Sequence, residues 1–332
     1  MSMSAPAFWQ RRGLLAGAAF PLAQLFGALA RWRRRALRPQ RLPVPVIVVG
    51  NIAVGGSGKT PVVDWLVGAL RARGWHPGIV SRGHGGRVEG VAAVAADGDP
   101  AQYGDEPVLL ARLTGCPLVI GRDRPAAGRE LLRLHPGCDV IVADDGMQHY
   151  RLGRDLEVAV VDEATLGNRW LLPAGPLREP LSRLAEVDLV IAHGPLTAAT
   201  RAAAGAVPVF DMHLQGGSLQ AVAAPGRTRP VAELRGCRVH AVAGIGRPQR
   251  FFEQLAGDGI EPVPHPFPDH HRFTPADLDF GDALPILMTA KDAVKCRAFA
   301  PADCWEYPVR AQIGSGAAER ILEKLEDGRT TA

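Results

Sequence analysis

The chain has 332 residues, 47% of them hydrophobic and 22% charged, with a formal net charge of +4. That composition builds packed cores for about two domains and excludes a disordered or fibrous chain. The charge is uneven: residues 1–41 hold eight arginines and no acid, which leaves 30 Lys and Arg against 34 Asp and Glu elsewhere. The basic excess is therefore a local patch, and no nucleic-acid partner is expected. Five cysteines, odd in number and without a C-x-x-C pair, read as reduced thiols in a cytosolic compartment and not as a zinc site.

Residues 13–30 form 18 consecutive uncharged positions, with Arg11 and Arg12 before them and Arg31, Arg33, Arg34, Arg35 and Arg38 after. As a helix they extend about 27 Å, marginal against a hydrocarbon core of roughly 30 Å. A signal peptide is conceivable, because Arg-Arg precedes the apolar run and Ala28-Leu29-Ala30 imitates a cleavage site. A transmembrane span has cations on both flanks and so no orientation bias. The expected form is a helix lying in the membrane interface, with Ala18, Leu22, Leu25, Leu29 and Trp32 as one apolar stripe. Its arginines would then meet anionic inner-membrane lipids.

Val46 to Val49 is an unbroken apolar run that reads as a buried strand. It leads into Ala53, Val54, Gly55, Gly56, Ser57, Gly58, Lys59 and Thr60, and then into a helical pattern with Pro61 in its first turn. Strand, glycine loop ending in Gly-Lys-Thr, and helix are the context of a phosphate-binding P-loop. The glycines let backbone N–H groups turn toward a phosphate, Lys59 supplies a cation for the β- and γ-phosphates, and Thr60 offers a hydroxyl to Mg²⁺. Ala53 departs from the strict pattern, which has Gly there. Lysine occurs at only four positions, 59, 291, 295 and 324, so Gly-Lys-Thr in this context is not a chance turn.

Pro77-Gly78-Ile79-Val80 is a second short strand ending in the glycine-rich Ser81 to Gly86. Gly104-Asp105-Glu106-Pro107 opens a helix, where acids are ordinary capping residues. A strand from Cys138 to Ala143 ends in Asp144 and Asp145, the place where a P-loop fold sets its Mg²⁺-directing aspartate. Leu156 to Val161 and Val187 to Ala192 complete the expected sheet, the second as its last strand. Between them, the proline- and glycine-stiffened Leu171 to Pro180 carries Arg178, suited to an anion. Two strand-like runs, Val207 to Leu214 and Ser218 to Ala223, about Gln215-Gly216-Gly217 read as a hairpin. A second α/β stretch follows, with a helix over Gln249 to Leu255. It contains Phe267-Pro268-Asp269-His270-His271, where proton transfer or positioning is the expected role and metal binding is not.

The ordered motifs VGGSGKTP, SRGHGG, GDEP, DDGMQH, LLPAGPLREP, Gly-Ile-Gly-x-Pro, FPDHH and KDAVK, spread over Val44 to Lys295, resemble the tetraacyldisaccharide 4′-kinase (lipid A 4′-kinase) family of Gram-negative bacteria. His84, Arg247 and Ala290 stand where that family usually has Tyr, Asn and Glu. The resemblance implies transfer of the ATP γ-phosphate to the 4′-hydroxyl of an acylated glucosamine disaccharide phosphate, at the cytoplasmic face of the inner membrane. It further implies Asp105 as general base with His270, and Thr60, Asp144, Asp145 and Glu106 around Mg²⁺. Gln148, His149 and Arg178 would meet the acceptor. The expected fold is α/β: a doubly wound P-loop NTPase sheet over residues 41–206, a β-hairpin linker over 207–230 and a smaller α/β domain over 231–332. Residues 1–40 form the membrane-associated helix and its basic flank. The competing classes are a GTPase or ATPase switch and a membrane adaptor. Neither Asn51 nor Asn168 precedes lysine, so no Asn-Lys-x-Asp guanine reader exists.

Overall fold

The computed structural model describes residues 6–330; residues 1–5 and 331–332, the outer ends of the expected first and last segments, lie outside the described residues. After helix α1 (Leu14–Ala36), strands and helices alternate: β1 (Val46–Gly50), α2 (Lys59–Ala72), β2 (Pro77–Ser81), β3 (Val91–Ala93), α3 (Pro100–Tyr103), α4 (Asp105–Thr114), β4 (Leu118–Gly121), α5 (Arg124–Leu134), β5 (Val140–Asp144), β6 (Leu156–Val161), β7 (Leu189–His193), α6 (Ala198–Ala203) and β8 (Val209–Gly216). A second group follows: β9 (Leu219–Ala221), β10 (Thr228–Arg229), β11 (Arg238–Ala243), α7 (Pro248–Gly257), β12 (Glu261–Pro266), β13 (Ile286–Thr289), α8 (Ala290–Cys296) and β14 (Cys304–Tyr307). The chain closes with β15 (Val309–Ile313) and α9 (Ala317–Thr330).

The larger sheet has nine strands in the order β15-β8-β7-β6-β1-β5-β2-β4-β3. Seven run parallel, and the two edges, β15 and β3, are antiparallel. Helices cover both faces, which is why the central strands are apolar without alternation and buried along their whole length. Val49 pairs with Asp144 and Gly50 with Ala159, so the carboxyl ends of β1, β5 and β6 finish side by side. Open parallel sheets bind ligands at that edge. The second sheet, β10-β9-β14-β13-β11-β12, has its own cores around Phe252 and Trp305 on one face and Met288 and Phe273 on the other.

Two expectations need correction. The runs at 207–214 and 218–223 do not form a hairpin with each other. Both edges of β8 are already paired, with β7 and β15, so β9 turns away and joins the second sheet beside β14 and β10. Gly216 allows the departure, because a Cβ there would meet the Tyr307 hydroxyl at 2.1 Å. Nor does the second domain hold the whole of 231–332: β15 and α9 return to the larger sheet, α9 adding Ile321, Leu322 and Leu325 to its core. The expected last strand, β7, is therefore interior, and β3 and β4 extend the opposite side.

Helix α1 packs through small residues. Ala16, Ala23 and Gly27 are buried, Leu171 lies against Gly27, and Phe20 meets Trp170 at 4.6 Å between ring centroids. The opposite face leaves Leu22, Leu25, Leu29 and Trp32 exposed, Leu25 at 66% and Trp32 at 67%. At 23 residues it is long and apolar enough to cross a membrane.

Candidate active site

The loop after β1 is braced from within. Asn51, buried, donates from Nδ2 to the Gly55 carbonyl (3.3 Å) and to Ser57 Oγ (3.1 Å). Its outer limb is pinned to the proline-rich loop: Ala53 bridges Leu177, and the Val54 N–H donates to the Pro176 carbonyl at 2.9 Å. Gly55 and Gly58 take φ of 114° and 92°, values that require glycine. α2 begins at Lys59 with Gly58 as its cap and no capping side chain, so the first-turn N–H groups of α2 have no side-chain acceptor. Open N–H groups, positive-φ glycines and the positive end of α2 fit a nucleotide's phosphates.

Across the sheet edge, the two aspartates occupy opposite electrostatic environments. Asp144 is buried and accepts from Ser81 Oγ at 2.9 Å; burial, then Glu106 and Asp145, push its carboxyl up to about 6. Asp145, at φ 48°, lies 3.5 Å from Lys59 Nζ and 3.1 Å from Arg178 Nη1. Burial works against its charge, but these two cations hold it well below the usual carboxylate range. Gln148 joins them, accepting from Arg178 (3.3 Å) and donating to the Asn51 carbonyl (3.0 Å). His149, expected beside the acceptor, is pushed down to about 4 by burial and then by Arg124 and Arg82, so it is neutral at pH 7.

No group of three His, Cys, Asp or Glu among the described residues could hold a metal ion by itself. Asp144 is raised first by burial and then by the neighbouring carboxylates of Glu106 and Asp145, surroundings that a cation would relieve. Hard oxygens of this kind, with the Thr60 hydroxyl, fit Mg²⁺ that takes its remaining ligands from phosphate and water.

The third part of the site crosses between the lobes. α4 packs on α8, which brings Lys291 to 3.0 Å from Glu106 Oε1 and 3.3 Å from Asp269. Asp105, the buried first residue of α4, meets His270 Nδ1 at 2.9 Å. His270 holds φ 59°, in the left-handed region a histidine rarely adopts, and local strain of this kind gathers at functional positions. The hydrogen bond that His270 donates to Asp105 raises the pKa of His270, against burial; Asp105 is lowered by His270 and Lys291, which overcome its burial. The residue at the usual tyrosine position, His84, packs edge-on to His270 at 5.6 Å. Gly104 must be glycine, since a Cβ would meet the His84 carbonyl at 2.4 Å.

Several site residues escaped the sequence reading. Lys291 is one; its signal was the scarcity of lysine and its place in KDAVK. Arg124, buried at the start of α5, donates to the Asp144 carbonyl at 3.0 Å. Asp162, beyond the tip of β6, binds Arg247 (3.0 Å) and Arg250 (2.5 Å) of the second lobe, while His193 lies 3.2 Å from the Ser57 carbonyl. Nothing in the sequence links Asp162 to α7.

A glycine-rich loop at a helix N-terminus, facing a buried Asp–His contact across two lobes, is the arrangement of a P-loop phosphotransferase. The chain belongs to the tetraacyldisaccharide-1-P 4′-kinase (LpxK) family, which matches residues 15–326. The tetraacyldisaccharide 4′-kinase of Azoarcus sp. strain BH72 is 65% identical over 335 residues, covering 99% of this chain and 97% of its own. That of Aromatoleum aromaticum is 61% identical over the full length of both. Among solved structures, Aquifex aeolicus LpxK in complex with ATP aligns with a TM-score of 0.78 at 27% identity, over 94% of this chain and 100% of its own.

Proposed function

We propose that this protein transfers the γ-phosphate of ATP to the 4′-hydroxyl of a tetraacyldisaccharide 1-phosphate, with Asp105 and His270 accepting the hydroxyl proton. The observation that carries the proton step is the 2.9 Å contact between His270 Nδ1 and Asp105 Oδ2. The P-loop amides and Lys59 hold the phosphates, and Arg178 and Lys59 share the charge of Asp145. Thr60, Asp144, Asp145 and Glu106 would hold Mg²⁺, which would supply charge neutralisation on the phosphates. A carboxylate alone is a weak base at neutral pH; beside it, a neutral imidazole takes up the proton and the carboxylate stabilises the imidazolium formed. Because Asp105 comes from the first lobe and His270 from the second, the base is complete only when the lobes meet, which keeps water from replacing the sugar hydroxyl.

Helix α1 is read as the membrane anchor, lying on the cytoplasmic face with its exposed leucines in the interface and its arginines on anionic lipid. The assay is incubation of the purified protein with γ-labelled ATP and the acylated disaccharide phosphate in detergent micelles. Label on the lipid as a phosphomonoester supports the reading. Release of inorganic phosphate without lipid labelling returns the protein to the ATPase-switch class.

A further inference from the structure

The reacting end of the nucleotide is fixed on one side of the P-loop. Asp144 ends β5, Asp145 after it meets Lys59, and Lys291 joins Glu106 to the Asp105–His270 pair on that side. β1 lies between β5 and β6. A triphosphate held by the loop with its γ-phosphate toward β5 therefore carries its α-phosphate toward β6. On the β6 side the second lobe supplies two arginines. Arg247 donates to Asp162 Oδ2 at 3.0 Å, and Arg250 donates to both Asp162 oxygens, at 2.5 and 3.0 Å. His193, the end of β7, lies 3.9 Å from the same carboxylate and 3.2 Å from the Ser57 carbonyl. Gly246, next to Arg247, stands against the loop itself: a Cβ built on it would lie 3.8 Å from the Gly56 nitrogen.

The charge at this place does not balance. Two guanidinium groups share one buried carboxylate, and among the described residues neither has another acid within ion-pair distance. Glu163, the next acid in the chain, is taken by Arg169 at 2.6 Å. Burial and Arg250 both work against the charge of Arg247, and Asp162 alone supports it. One arginine is enough to pair Asp162 across the lobes; the second leaves a positive charge in excess, which an anion beside it relieves. That charge is within reach, since the side chains of Arg247 and Arg250 are 26% and 40% exposed. We infer that Arg247 and Arg250 bind the α-phosphate of the nucleotide from the second lobe, with Asp162 holding the two side chains toward the loop. The inference rests on the proposed ATP-dependent reading for its ligand. Arg247 stands where the family usually has Asn, so the family's motif does not supply this charge.

The test measures binding of ATP and of the two diastereomers of adenosine 5′-(α-thiotriphosphate) to the full chain, with Mg²⁺, in detergent micelles without acceptor lipid. In each diastereomer sulfur replaces a different non-bridging oxygen of the α-phosphate. The wild type is expected to bind one of them about 10–100-fold more weakly than the other, because sulfur is a poor acceptor for a guanidinium. Arg247→Asn and Arg250→Gln should each bind ATP more weakly by a similar factor and lose most of that discrimination. KM for ATP should rise in step, with KM for the lipid as in the wild type. A thermal melt reports any loss of fold. Where either variant unfolds, Arg250→Lys keeps the charge and the pairing with Asp162, removes the planar fork, and should still reduce the discrimination. Equal binding of the two diastereomers by the wild type overturns the inference. So does full discrimination in the folded variants: weakening of all three nucleotides alike would make the arginines a clasp between lobes and nothing more. Failure of the ATP reading shows separately, as absence of ATP binding by the wild type, and takes the inference with it.

Discussion

His270 Nδ1 lies 2.9 Å from Asp105 Oδ2, although 165 positions separate the two residues in the chain. The contact exists because α4, from the first lobe, packs on α8, from the second, and because Lys291 ties Glu106 to Asp269 beside it. Each partner shifts the other: the histidine gains basicity and the carboxylate loses it.

That coupling sets a pH dependence. The pair accepts a proton only while His270 is neutral, so kcat/KM should rise with pH through the raised pKa of His270. Asp105→Asn removes the main cause of the raise, and the acid limb of whatever activity remains should move to lower pH. A pH–rate profile of the variant checks the direction; an unmoved limb would assign it to another group.

Asp144 predicts a conflict between stability and function. Its folded pKa, about 6, lies above the value of 3.8 expected in the unfolded chain. Between those values the folded state binds the extra proton, so stability falls as pH rises through this window and the cost persists above it. Asp144→Asn should therefore raise the melting temperature of the nucleotide-free protein at pH 8 by a few degrees, for a gain on the order of 1–3 kcal/mol. Turnover should be lost in the same variant. Calorimetry at pH 8 decides it, and a lower melting temperature contradicts the assignment.

Lys59→Ala should lower kcat by about 10²–10³-fold, the usual loss when one preorganised charge partner of a transferring phosphoryl group is removed. Asp145 retains Arg178, so the fold is expected to survive. Near-normal kcat in a well-folded variant would remove the P-loop from the mechanism.

What was legible in the sequence was what is local. The apolar run of β1, the positive-φ glycines and Lys59 belong to one continuous segment, and the outward stripe of α1 follows from helical spacing alone. The hairpin was misread because strand pattern and a Gly-Gly turn are necessary for pairing but do not show that β8 has both edges taken. The return of β15 was invisible for the same reason: pairing between residues 309–313 and 212–216 is a property of the sheet. Asp105 and His270 were nameable from motif resemblance, and only the packing of α4 on α8 brings them together. The grip of Asp162 on Arg247 and Arg250 left no mark in either segment.

Membrane attachment through α1 is tested on its outward face. Leu25→Asp with Leu29→Asp should move the protein from the membrane to the soluble fraction, since both side chains are exposed and neither supports the core. Replacing Arg31, Arg33 and Arg35 with Gln should weaken binding to anionic vesicles by about 1 kcal/mol per charge. Sedimentation with anionic and neutral vesicles separates the two contributions, and equal binding to both would reject the electrostatic part.

The central claim, that a base assembled from both lobes drives phosphoryl transfer, is tested most directly by a double-mutant cycle on Asp105 and His270. The measured quantity is the rate of lipid labelling from γ-labelled ATP. Gly104 is the cap of α4, so Asp105→Asn leaves the cap in place and removes only the charge paired with His270 and Lys291; the melting temperature should fall modestly and the variant remain folded. Turnover is predicted to fall by about 10²–10⁴-fold in Asp105→Asn and comparably in His270→Ala. The double variant should be scarcely slower than either single one, because the two residues act as a unit. Full activity in Asp105→Asn, or losses that multiply in the double variant, would contradict the account.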